Sequence, residues 1–176
     1  MDDAILIREL SADEATARVL ELADIIRDSV DGGASVNFLA GVTIEECRDF
    51  WLGSIAEQRS GDRVLFVADT GQRIVATALL ILAPQQNQQH RADVGKMLVH
   101  SQFRQRGLAR QLLTAVEAEA LRRGRTLLML DTAKDTAGDK LYAATGWIRY
   151  GEVPGHAAMT DGTLWPTSFY YKILSR

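Results

Sequence analysis

Between Val94 and Ala109 the chain reads Val94-Gly95-Lys96-Met97-Leu98-Val99, a short loop, and then Arg104-Gln105-Arg106-Gly107-Leu108-Ala109 at the opening of a helical pattern. A strand, a basic glycine-containing loop and a helix start make an anion-binding arrangement. The first N–H groups of the helix have no internal partner, the helix dipole favours negative charge, and glycine lets a ligand approach the backbone. Neither familiar nucleotide loop fits. A P-loop needs Gly-x-x-x-x-Gly-Lys-Ser/Thr and the dinucleotide fingerprint needs three spaced glycines, whereas only Gly107 is available here. A plain helix start with surface arginines is the alternative reading. His90, His100 and His156 show no metal-ligand spacing. A surface position is expected for each, with His156 in a loop able to line an acceptor site. No Gly-x-Ser-x-Gly elbow supports serine hydrolase chemistry.

The elements that position these residues follow from periodicity. Ala4 to Leu10 reads as a strand, and Ser11-x-x-Glu14 is a capping box opening a helix with Val19, Leu22, Ile26 and Val30 on one face. Asp31 to Ser35 breaks that pattern. Thr43-x-x-Glu46 opens a second helix carrying Ile44, Cys47, Trp51 and Ile55. Val64 to Ala68 and Ile74 to Leu82 read as strands joined at Thr70-Gly71, and Pro84 to Gln89 as a polar loop before the strand Ala92 to Val99. A helix from Arg106 to Arg123 presents Ala109, Leu112, Leu113, Val116 and Ala120. The apolar strand Thr126 to Leu130, a helix through Leu141 and Tyr142 ending at Gly146, and strands near Trp147 to Gly151 and Ser168 to Leu174 complete the chain. This order predicts one α/β domain over residues 1–176, with helices on both faces of a central mixed sheet.

With 176 residues, 47% hydrophobic and 24% charged, the chain has the composition of a globular protein and excludes disordered and collagen-like classes. The net charge of −3 argues against nucleic acid as a partner. Six arginines between Arg104 and Arg125 face only Glu117 and Glu119, so one basic island stands on an acidic protein. That suits a compact anionic ligand. The single cysteine, Cys47, permits no internal disulfide and is expected in the core. No apolar run is long enough for a membrane span, and the acidic Met1-Asp2-Asp3 start is unlike a signal peptide, so a cytoplasmic location is expected.

Arg104-x-x-Gly107-x-Ala109, placed between a strand and a helix, resembles the acetyl-CoA signature of the GNAT N-acetyltransferases, Gln/Arg-x-x-Gly-x-Gly/Ala. Leu98-Val99 before it, the strand Leu127 to Asp131 and Tyr142-x-x-x-Gly146-Trp147 after it fit the same family. Gly32 to Val36, Arg91 to Val94, Leu130 to Thr132, Gly151 to Gly155, Asp161-Gly162, Pro166-Thr167 and Tyr171-Lys172 are similar to the tabtoxin-resistance branch of that family. The resemblance implies a sheet of about seven strands that splays into a V between the fourth and fifth. It implies acetyl-CoA as acyl donor, CoA as product, and the amine of a small toxin- or antibiotic-like molecule as acceptor.

In that frame Met97, Leu98, Val99 and the run Arg104, Gln105, Arg106, Gly107, Leu108, Ala109 bind the cofactor. The N–H of Leu98 or Val99 serves the oxyanion. Gly33, Ala34 and Ser35 lie over the acceptor. Tyr142 is the candidate acid for the leaving thiolate, since a phenol is protonated at neutral pH and can donate; a core aromatic is the alternative. Asp93 sits in an otherwise apolar strand, and Asp131 ends a strand at the sheet's carboxyl edge, where α/β ligand sites gather. Together they are the candidates to bind the cationic amine and take its proton, which requires desolvation or mutual repulsion to strengthen a weak carboxylate base. A bulge-stabilising carboxylate and a cap are their alternatives. The toxin-resistance relatives carry glutamate where this chain has the shorter Asp93. Direct attack in a ternary complex is expected, because holding amine and thioester together removes most of the entropic barrier. The competing classes are an acetyltransferase for protein or peptide amines and a non-catalytic acyl-CoA-binding protein. Exposed edge strands leave room for a homodimer.

Overall fold

Strand Leu6–Glu9 (β1) leads into Ala12–Ala17 (α1), Val19–Asp31 (α2) and Ile44–Arg59 (α3). Arg63–Asp69 (β2), Ile74–Leu82 (β3) and Arg91–Val99 (β4) follow, then Leu108–Arg122 (α4), Leu127–Ala133 (β5), Ala137–Ala143 (α5), Ile148–Ala158 (β6) and Leu164–Ile173 (β7). This computed structural model describes residues 5–175. The acidic start Met1-Asp2-Asp3 and Ala4, where the first strand is expected to begin, lie outside the described residues.

Both capping boxes form. Ser11 Oγ accepts the N–H of Glu14 while Glu14 accepts the N–H of Ser11, and Thr43 and Glu46 do the same for α3. The expected first helix is two, because Arg18 leaves helical geometry at φ −111° and ψ 21°. Its guanidinium there holds Glu21 and Asp69.

The strands form one sheet in the order β1-β2-β3-β4-β5-β7-β6, antiparallel except for β4 beside β5. Side-chain alternation divides β2 between two cores: Val64, Phe66 and Ala68 face α4 and α5, while Leu65 and Val67 face α1, α2 and α3. β3 is covered on both faces, which explains its unbroken apolar run. Cys47 is buried beside Trp51, whose indole donates to the Leu22 carbonyl and ties α3 to α2.

Two expectations need correction. The buried residue at the start of α4 is Leu108, and Ala109 is only half-buried. The loop expected around His156, which spans Pro154 to Pro166, is instead a hairpin: β6 runs to Ala158 and β7 starts at Leu164, with an irregularity between Val153 and Ala157. Proline is tolerated there because β6 is the sheet edge and the bulge needs no ladder N–H.

Candidate active site

The site begins where strand pairing fails. β4 and β5 pair only at Arg91–Leu127, Ala92–Leu128 and Asp93–Met129, and beyond them the strands diverge. On its other side β4 carries a bulge, with Lys96 and Met97 both opposite Ala78. Lys96 takes the left-handed conformation at φ 46°, unusual for a residue with a side chain, inside this bulge. The divergence leaves a cleft in the middle of the sheet. One part of about 610 Å³, termed the acceptor part after the sequence expectation, holds Asp93, Lys96, Asp131 and His156. A second part of about 720 Å³ runs to the start of α4. Met97, Leu98 and Tyr142 line both, so the two are continuous.

The second part is built for an anion. α1, α3 and α5 open on Ser11, Thr43 and Thr136, whose side chains accept a first-turn N–H, but α4 opens on Gly107, which has none. The first-turn N–H groups of α4 therefore remain free for a ligand. Gly107 sits at φ 74°, a conformation that disfavours any side chain. Val99, Arg104, Gln105, Leu108 and Ala109 line this part with it. Arg106 does not; its guanidinium stacks 5.0 Å from the Phe103 ring centre. Arg104 donates to the Val99 carbonyl and lies 3.8 Å from Asp28, so it braces the loop. Gly33 and Ala34, expected over the acceptor, line the anion part instead, while Ser35 borders both and donates to the Ala158 carbonyl.

The acceptor part is governed by charge. Burial pushes the Asp93 carboxyl above its ordinary value; Arg91, at 3.6 Å, opposes this and Asp131 adds to it. Asp131 is not at a strand end as expected but inside β5, two residues before it closes. Tyr142 is buried, and burial with the nearby Asp131 charge holds its phenol well above the usual range, so it stays protonated. Its hydroxyl has no protein partner among the described residues. His156 lies on β6, stacked edge-on to Phe169 at 5.1 Å. His100 is not a surface residue: it is buried between Asp24 and Asp28, at 3.6 and 3.7 Å. Lys96 escaped the sequence reading. Burial lowers its ammonium to about 8, against the favourable field of Asp131. The signal was present, since a lysine inside an apolar strand is as conspicuous as Asp93.

The model of the acetyltransferase (GNAT) family matches residues 37–147. The chain is 31% identical over 118 residues to an N-acetyltransferase encoded in the hisH-hisA intergenic region of Azospirillum brasilense, covering 66% of this chain and 68% of that one. Among solved structures it is similar to the ribosomal-protein-alanine N-acetyltransferase of Brucella melitensis, with TM-score 0.74, 25% identity and coverage of 96% and 99%. It also shares the fold of an N-acetyltransferase from Staphylococcus aureus Mu50, with TM-score 0.79, 20% identity and coverage of 98% and 99%. An acetyltransferase of Salmonella typhimurium, yncA, solved with its cofactor acetyl-CoA, superposes with TM-score 0.76 at 18% identity, covering 98% of this chain and 95% of that one. The chain belongs to the GNAT acetyltransferase family and is an acetyltransferase; enzymes of this family use acetyl-CoA. The uncapped α4 start, the open backbone at Gly107 and the elongated cleft fit such a donor.

Proposed function

We propose that this protein transfers acetyl from acetyl-CoA to the amine of a small molecule, including toxin- or antibiotic-like amines, by direct attack within a ternary complex. The observation that carries this is the continuity of the cleft: the anion part ends at Tyr142, and the two aspartates begin on its other side. Acetyl-CoA supplies an activated acyl carbonyl and a thiolate leaving group. The first-turn N–H groups of α4 with Arg104, Gln105, Gly107, Leu108 and Ala109 hold its phosphates, and Met97, Leu98 and Val99 flank its arm. The N–H of Leu98 or Val99 steadies negative charge on the carbonyl oxygen. Asp93 and Asp131 bind the acceptor ammonium, and the strengthened base Asp93 takes its proton, freeing the lone pair for attack. Tyr142 hands its proton to the leaving sulfur and is restored by the second proton that the attacking nitrogen loses as the intermediate collapses.

Ser35, Val36 and Asn37 roof the acceptor part, which supports a small acceptor over a protein tail. A protein N-terminus is the second reading, favoured by the name of the Brucella relative at 25% identity. Among the described residues no helix is long and apolar enough to cross a membrane. With Cys47 buried as a free thiol, that supports a cytoplasmic setting. The edge strand β6 exposes Ile148, Tyr150 and Val153, a surface that suits self-association.

Thiol release from acetyl-CoA across amino-acid, aminoglycoside and peptide acceptors tests the reading. Turnover on one small amine, reduced on the order of a hundredfold or more in Tyr142→Phe, is expected. Release with peptides alone moves the assignment to the second reading, and no release with any acceptor overturns both.

A further inference from the structure

The acceptor part of the cleft contains charges of both signs, and one of them is unmatched. Lys96 leaves the bulge of β4 towards the α2–α3 side, where Nζ lies 3.4 Å from the Val36 carbonyl and 4.7 Å from the Phe50 ring centre. Among the described residues no carboxylate forms an ion pair with it. The other cations lining or flanking this space are engaged: Arg63 by Glu57 and the Ser54 hydroxyl, Arg91 by Asp93. A carbonyl dipole and a ring face compensate an ammonium only in part, so a buried lysine in this setting lacks an anion.

Asp93 and Asp131 present the opposite imbalance, two carboxylates close enough to raise the proton affinity of one. Asp131 also acts on Lys96, so the three groups share one space. A molecule carrying an amine and a carboxylate satisfies both imbalances at once. We propose that Lys96 Nζ is the subsite for the carboxylate of an amino-acid-type acceptor whose amine lies at Asp93 and Asp131. This rests on the N-acetyltransferase reading and narrows it to a substrate class. The lowered proton affinity of Lys96 agrees with it, because an anion set against the ammonium reverses that shift.

Two measurements separate this from the parent reading. In the first, Lys96 Nζ is followed by 15N NMR, assigned from the signal missing in Lys96→Arg and Lys96→Met, and titrated with and without propionate. The midpoint near 8 should rise by about one pH unit when propionate binds. In the second, thiol release from acetyl-CoA is measured for L-amino acids and their C-terminal amides. The acid should exceed its amide on the order of tenfold in kcat/KM, the ratio falling towards one in Lys96→Met and surviving in Lys96→Arg. An unmoved midpoint, or equal turnover of acid and amide, overturns the subsite while leaving acetyl transfer intact. A moved midpoint with no release from any acceptor supports the subsite and overturns the acetyl-transfer reading instead.

Discussion

The buried hydroxyl of Thr77 donates a 2.8 Å hydrogen bond to the carbonyl of Lys96, fixing the extra residue of the bulge from the neighbouring strand. The bulge turns Lys96 into the acceptor space and sets the path of Leu98 and Val99 beyond it. Thr77→Val keeps the volume and leaves that carbonyl without its partner. We expect a loss of about 1–2 kcal/mol in urea denaturation. A fall in kcat/KM larger than stability explains should accompany it. A stable variant with unchanged turnover separates the bulge from catalysis.

Asp131 acts on its neighbours through charge, and Asp131→Asn reads that out. Its negative charge assists burial in raising Asp93, and it opposes burial at Lys96. Without it the Asp93 value should move down towards that of an ordinary carboxylate, carrying the acid limb of kcat/KM to lower pH. The Lys96 midpoint should move below about 8. A Lys96 midpoint that stays in place disproves the coupling.

Gly107→Ala isolates the backbone requirement at the anion site. An added Cβ meets only the far end of Gln111, at 3.9 Å, so space is not the obstacle. The left-handed φ of 74° is, at about 1–2 kcal/mol. Calorimetric melting should register that loss. Titration with CoA should show weaker binding, because relaxing the residue reorients the first N–H groups of α4. Gly107→Asn should be milder, since asparagine visits this region more readily.

Asp69 is a structural counterpart to the site's aspartates. Its burial would raise the carboxyl, but Arg18 at 2.6 Å, the Gly71 N–H and Arg8 at 3.0 Å together bring it below its ordinary value. A depressed carboxyl stabilises the fold above its unfolded value of about 3.9, and this is lost as pH falls through the folded one. Asp69→Asn should cost about 3 kcal/mol at neutral pH. Its stability should also fall less steeply than that of the wild type below pH ~4. Parallel acid profiles dismiss the network as a pH-dependent brace.

Local chemistry explains which features were legible beforehand. Ser11 with Glu14 and Thr43 with Glu46 announce helix starts because a cap involves only neighbours in sequence. The apolar run Val64 to Ala68 predicts a strand, and the structure divides its side chains between two cores. Asp93, Asp131 and Tyr142 border one cavity, and their closeness depends on strand pairing that local sequence does not encode. Lys96 is conspicuous as a lysine in an apolar strand, but its orientation comes from a bulge in β4 that shows only once β4 is paired with β3. Pro154 and Pro166 read as loop because proline normally ends strands, whereas Pro154 lies on the edge strand β6 in an irregular register and Pro166 lies on β7 beyond its last pair with β5. His100 looked like a surface residue because Asp24 and Asp28 approach it from a separate helix.

The divergence after Asp93 and Met129 leaves β4 an unpaired border inside the molecule. Outer borders of sheets invite other chains to add on and aggregate. This one lies between helical layers, in a cleft whose walls come from Leu98, Tyr142 and the 32–36 segment. A polypeptide strand brings side chains on both faces and needs about 4.8 Å of spacing along the sheet. A thin, unbranched, amide-bearing chain fills the same spacing without side chains that need room on either face. The fold can thus keep a sticky backbone permanently available while admitting only guests too slender to polymerise on it.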